Sequence, residues 1–308
     1  MTDIRFTSLS KFDCPRLLIC ALGYEDRSTF FLKSEEREDF EAILAFDYCS
    51  TGLHSYDANR DYVEHCGARR IGDLAELLRV AGELFVETKW NVSVDLTSLD
   101  RRKMAEVIKF LFLNRNSISC VDFVYCPSEY SEPRFKLESV SSFGPVLPAF
   151  AGDIAETRRK LALLVGVGYE FNRIIGAIEA LEPDKVYAFK PIGTDRRFES
   201  KIDENNLDFE FLTTNDVLRE YDLNFPKQLY LMTRRAVELE LSKRSVLILP
   251  LGPKIFAGVS ILIAMLRHPS VMVWRHSTTS SSRPESTRDA IASGVVSRFQ
   301  FEFSEDFI

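Results

Sequence analysis

Twice in this chain an apolar run ends in Gly-Tyr-Glu and an arginine follows: LLICALGYEDRS at 17–28 and ALLVGVGYEFNR at 162–173. Arg27 and Arg173 carry a permanent charge on a planar fork that matches phosphate or carboxylate. Tyr24 and Tyr169 offer faces on which a base stacks, and Ser28 offers a hydroxyl. Glu25 and Glu170 repel phosphate, which leaves three roles open. They accept hydrogen bonds from a base edge or ribose, they orient the arginines by pairing, or they bind a metal or act as general bases, which implies catalysis. Each residue also has a plain use: Gly23 and Gly168 as turn residues, the tyrosines as core.

A second loop in each half has comparable chemistry. In the first half DLTSLDRRK brings Thr97, Ser98 and Lys103 to the start of a helix-like run, and in the second half PLGPK brings Gly252, Pro253 and Lys254. A helix start favours anions, because its first N–H groups are unpaired and its dipole is positive there. Thr97 and Ser98 either cap the helix or give hydroxyls to a ligand. Gly252 lets backbone amides approach closely, Pro253 suits a first helical turn, and Lys254 adds a full charge. The run Arg101-Arg102-Lys103 equally suits a solvated face.

The elements that position these loops recur in one order. RLLICAL (16–22) is matched by LALLVGV (161–167), and AILAFDY (42–48) by VYAFKPIG (186–193). NVSVDL (91–96) is matched by SVLILPL (245–251), and SCVDFVYCPS (119–128) by SVMVWRHS (270–277). The helical stretches between them correspond, and PRFKLESV (133–140) resembles SRFQFEFS (297–304). Short apolar strands alternating with helices predict α/β architecture: two tandem Rossmann-like, mostly parallel sheets with helices on both faces, related by a pseudo-two-fold. The expected division is a first repeat over 1–140, a linker over 141–158 and a second repeat over 159–308. In such sheets ligands bind beyond the carboxyl ends of the strands, where all four loops fall.

Composition narrows the classes. With 308 residues, 45% hydrophobic and 28% charged, the chain is an ordinary globular protein, and a net charge of −7 argues against a general nucleic-acid groove. No apolar run is long enough to span a membrane, and MTDIRFTSLSKF lacks a signal-peptide block, so a cytoplasmic protein is expected. The six cysteines form no CxxC, so they read as small buried hydrophobes, with no metal and no cofactor expected. There is no GxxxxGK[ST], GxSxG or HExxH. The dinucleotide fingerprint is incomplete, since Phe171 stands at the third glycine and Ala21 at the first glycine of the other half. Asp47 suits a ribose hydroxyl, although Lys190 is its counterpart. The stretch STTSSSRPESTRD (277–289) reads as a polar surface loop.

The strand–loop pair, with a later strand leading through a polar or glycine loop to a lysine and a helix, resembles the CARF (CRISPR-associated Rossmann fold) family. Asp95, Thr97 and Lys103 resemble its Asp-x-Thr-x-Gly-x-Lys loop, as do Gly252 and Lys254. DLTSLDRRK lacks the family's glycine, and PLGPK its aspartate and threonine. Two such units in one chain resemble the SAVED domains of bacterial cyclic-nucleotide antiviral defence. The resemblance implies a cyclic or linear oligonucleotide held between the two repeats, with Arg27, Arg173, Lys103, Lys254 and Arg196-Arg197 offsetting its phosphates. It implies a sensor that signals through a separate effector protein or by self-association. A phosphodiesterase, ring nuclease or nucleosidase using Glu25 and Glu170, or a scaffold with a vestigial pocket, are the alternatives.

Overall fold

The computed structural model describes the chain apart from residues 1, 9–13, 86–87, 133–139, 153–159, 169–172, 194, 207–217, 279–287 and 306–308, and apart from the side chains of 140, 141, 173, 277 and 278. The elements run β1 (Thr2–Phe6), β2 (Arg16–Leu22), α1 (Phe30–Ser34), β3 (Ala42–Asp47), α2 (Tyr56–His65), β4 (Arg69–Ile71) and α3 (Leu74–Leu84). Next come β5 (Trp90–Asp95), α4 (Arg101–Leu113), β6 (Ile118–Tyr125), β7 (Val140–Pro145), β8 (Leu161–Gly166), α5 (Arg173–Leu181) and β9 (Lys185–Ile192). The last are α6 (Arg196–Asn205), β10 (Leu218–Asp222), α7 (Pro226–Leu241), β11 (Ser245–Leu249), α8 (Lys254–Leu266), β12 (Val271–Thr278) and β13 (Ser297–Glu305).

The chain divides into two compact units, Met1–Glu129 with Thr287–Ile308, and Tyr130–Ser286. The first holds a seven-stranded sheet ordered β1-β13-β6-β5-β2-β3-β4. Its strands from β6 to β4 are parallel, while β13 and β1 are antiparallel additions. The second holds a six-stranded sheet ordered β10-β9-β8-β11-β12-β7, parallel except for β7. Both are α/β units with one topology. The first parallel strand is central, the next two lie to one side and the following two to the other, which is a Rossmann-like order.

Sequence dictates the central strands directly. All seven residues of β2 are buried, as a strand covered on both faces requires, and β8 is apolar in the same way. Leu18 faces Ile43 on one neighbour and Ser93 on the other, while Leu163 faces Val186 and Leu247. In α8 every residue from Ile255 to Leu266 is buried, in keeping with a run that is apolar on all sides.

The units differ from a division at 140 and 159. Within 141–158, residues 141–145 belong to β7, and Phe150 is fully buried. The last strand, SRFQFEFSE, returns to the first unit's sheet against β6, whereas β7 from the first half pairs with β12 in the second unit. PRFKLESV lies outside the described residues apart from the backbone of Val140, which opens β7; β7 and β13 each complete the sheet of the other half. The physical demand is an open strand edge, with unpaired N–H and C=O groups, that needs covering. Phe299 and Phe301 lie buried against Phe123, Phe299 tilted and Phe301 edge-to-face, and edge-to-face contacts continue from Phe301 to Phe303 and Phe112. Arg298 secures the strand, with its guanidinium 2.5 Å from the Asp122 carboxylate and 3.2 Å from Glu35.

Candidate functional site

In both units the chain leaves its central strand to one side and returns on the other, so the connections that follow the first and fourth parallel strands, themselves paired neighbours, run to opposite sides of the sheet. The paired loops meet there. A Cβ placed on Gly23 sits 3.1 Å from Ser98 Cβ. In the second unit a Cβ on Gly166 falls 2.2 Å from the Leu251 carbonyl oxygen. Gly252 has φ +72°, and its Cβ falls 2.8 Å from the Val167 carbonyl oxygen. Glycine at these two positions is a steric necessity of the close approach.

The first Gly-Tyr-Glu loop is clamped by Asn59, a buried residue of α2. Its amide nitrogen reaches the carbonyl oxygens of Gly23 (3.1 Å) and Glu25 (2.9 Å) and the Ser28 hydroxyl (2.9 Å). Its oxygen accepts from Thr29 Oγ1 at 3.0 Å. The second unit repeats the clamp: Asn206, just past α6, donates to the Gly168 carbonyl at 3.0 Å. Neither asparagine is distinguishable in sequence from an ordinary polar helix residue, so both escape a motif search.

Glu25 and Arg27 of the first loop are paired with each other. Arg27 donates from Nε to Glu25 at 2.9 Å and from Nη1 to the Cys126 carbonyl at 3.2 Å, and it is largely buried. Burial works to lower its pKa, but Glu25 and Tyr125 hold it above the ordinary value. Of the three roles open to Glu25, this geometry displays the pairing one. Tyr24 is half-buried, its ring 5.9 Å from that of His54, and burial raises the pKa of its hydroxyl.

Thr97 and Ser98 do not cap α4. The cap is Asp100, whose Oδ1 accepts from the Lys103 amide at 2.9 Å and whose own N–H donates to the Tyr48 hydroxyl at 2.8 Å. Thr97 is fully buried and accepts from the Cys126 amide at 2.9 Å, which ties β5 to the end of β6. Ser98 Oγ is enclosed with no hydrogen-bond partner among the described residues. Lys103 donates to the Gly72 carbonyl at 2.9 Å and lies 4.6 Å from the Phe46 ring centroid, towards β3 and β4. Asp47 accepts from Tyr56 at 2.5 Å and pairs with Arg70 at 3.4 Å, while Lys190 pairs with Asp203 at 2.6 Å.

In the second unit Tyr169 and Glu170 lie outside the described residues, as does the side chain of Arg173, whose backbone opens α5. Arg196 is exposed at the start of α6, which Asp195 caps by accepting from the Arg197 amide at 2.9 Å. The Gly252-Pro253-Lys254 loop leads straight into α8. Pro253 at its N-cap has no side-chain acceptor for the first amides, the first turn holds no acidic residue, and Lys254 stands at its first position. The two copies thus differ in chemistry: a carboxylate neutralises the helix start beside Ser98, whereas a lysine adds to the positive end beside Gly252.

A further segment meets the first loop. The Asp289 carboxylate accepts from the Asp26 amide at 2.7 Å and from Ser55 Oγ at 2.6 Å, and the Ala290 carbonyl accepts from the Arg27 amide at 3.0 Å. Asp289 closes the stretch expected to be a plain surface loop; the residues before Arg288 in it are outside the description, apart from the backbone of 277–278. Among the described residues no group of His, Cys, Asp and Glu side chains is arranged to hold a metal ion, and no helix is long and apolar enough to cross a membrane. No protein-family model matches the chain, and no curated protein matches it.

Proposed function

We propose that the protein is a sensor of a phosphate-bearing nucleotide, cyclic or linear, with the Gly252-Pro253-Lys254 loop as its principal anion contact. The observation that carries this is the start of α8: a 13-residue helix opening at the switch point of its sheet, capped by a proline, with a lysine in its first turn. The forced glycines at 166 and 252 bring the two loops together at that point. The likeness of both loop pairs to the CARF pattern supports an oligonucleotide as the ligand class. It also supports a signalling role in which a separate effector, or a second copy, reads the bound state. The pairing of Glu25 with Arg27 favours binding over turnover at the first loop.

The test is incubation with a panel of cyclic and linear nucleotides, read by thermal shift and by chromatography of the recovered ligand. A ligand at about 100-fold above its Kd stabilises by about 2.7 kcal/mol, a readable shift. The expected result is a stabilised protein and an intact ligand. Consumption of the ligand would make the protein a nucleotide-processing enzyme, and no shift with any member of the panel would end the nucleotide reading.

A further inference from the structure

The returning chain approaches the first unit in two parts that are held by different forces. In β13, Ser297, Phe299 and Phe301 are buried, and both edges of the strand are hydrogen-bonded, to β6 and to β1. In the preceding segment, Arg288 to Val296, no residue is buried, and Ile291 is among the exposed large hydrophobic residues of the chain. Val296 packs half-buried against the first unit's core, and the part before Gly294 is held by hydrogen bonds instead. Asp289 holds the Asp26 amide and the Ser55 hydroxyl through solvent-exposed bonds, and Ala290 holds the Arg27 amide. Ile291 accepts from the Glu129 amide at 2.9 Å, and the Ser293 amide donates to the Pro127 carbonyl at 2.9 Å. Between the two parts stands Gly294, with φ +80° and open space where a Cβ would project. A segment with exposed backbone bonds and little apolar burial belongs to the low end of local stability, and a glycine in the left-handed region is suited to be its hinge.

We propose that Asp289–Ser293 is a strap that opens about Gly294 independently of β13, and that it lids the carboxyl edge of the first sheet over the Gly23-to-Arg27 loop. Its carboxylate lies on the loop's outward amide, so any anion approaching that loop meets Asp289 first. Opening uncovers the Asp26 and Arg27 amides together with the end of β6, while the apolar anchor of β13 stays in place. The inference goes beyond the nucleotide reading and does not need it.

Hydrogen–deuterium exchange of the full chain, resolved by NMR, tests it without a ligand. The Asp26, Arg27, Glu129 and Ser293 amides are expected to exchange on one time course, faster than the Phe299 and Phe301 amides. Asp289→Asn, which keeps the shape and removes the charge, should speed the four strap-linked amides roughly tenfold and leave the two strand amides unchanged. Ser55→Ala, which removes a partner from outside the strap, should reproduce the pattern. Exchange of the four amides only at the rate of the strand amides overturns the proposal, because strap and strand then open as one. So does an Asp289→Asn protein whose four amides exchange as in the wild type.

Discussion

At the scale of single residues, the first loop is a case of polar groups satisfied from within. Asn59 is nearly inaccessible, and its amide holds two backbone carbonyls and two hydroxyls of the seven-residue span Gly23–Thr29, which has no regular strand partner of its own. Asn59→Ala leaves those groups without a partner, and we expect a loss of about 2–3 kcal/mol in denaturant unfolding. Asn206→Ala should cost less, since among the described residues its amide holds two groups, the carbonyls of Gly168 and Ile202. The cysteines make a second case. Burial pushes the Cys120 and Cys126 thiols up to about 12, and it raises Cys20 further, so none is a thiolate near neutral pH. Cys49 is exposed. At pH 8 a thiol reagent should therefore modify Cys49 in the native protein and reach Cys20, Cys66, Cys120 and Cys126 only on unfolding, as peptide mapping of the labelled protein would record.

At the scale of elements, the two helices that open at the switch points differ in what stands at their N-termini. α4 begins under the Asp100 carboxylate, which satisfies an amide and offsets the dipole, so an anion gains little there. α8 begins under a proline and a lysine. Lys254→Ala is accordingly expected to weaken nucleotide binding at least tenfold while lowering the melting temperature of the free protein far less. An equal fall in both would assign Lys254 to the fold alone. The corresponding change Lys103→Ala should not alter binding, since that amine is committed to the Gly72 carbonyl and the Phe46 ring.

At the scale of the whole molecule, the consequence of the exchanged strands is that a residue near the chain's end stabilises the unit built from its beginning. Arg298 is the chief partner of Asp122, which is inaccessible to solvent; Arg16 is farther off at 3.8 Å. Arg298 is itself about a third exposed and Arg16 stays near Asp122, so removing Arg298 weakens the support of the buried carboxylate without stranding it, at about 1–3 kcal/mol. Burial pushes the Asp122 carboxyl up and Arg298 opposes it. Without Arg298 the folded pKa rises further above the unfolded one, so the folded state binds its proton the more readily. The deficit of Arg298→Ala should then be largest at neutral pH and shrink as the pH falls. The chain's two tryptophans, Trp90 in β5 and Trp274 in β12, report on the two units separately. With Trp274→Phe as background, Arg298→Ala should lower the denaturant midpoint of the Trp90 signal; with Trp90→Phe, the Trp274 midpoint should move much less. Equal movement would mean that the two units unfold as one cooperative body.

Much of this was legible in the residues themselves. The apolar runs RLLICAL and LALLVGV are strands buried on both faces, and alternation with amphipathic runs specifies parallel α/β units, because local patterning and burial are properties of short windows. The internal repeat located both loop pairs for the same reason. Ownership of the last strand was not legible, since the alternation of SRFQFEFS suits the open edge of either sheet. Nor were the Asn59 clamp, the Asp100 cap and the seat of Asp289 on the first loop. The Asn59 clamp, the bond from the Asp100 amide to Tyr48 and the seat of Asp289 join residues far apart in the chain, which only the closed tertiary structure brings within 3.1 Å.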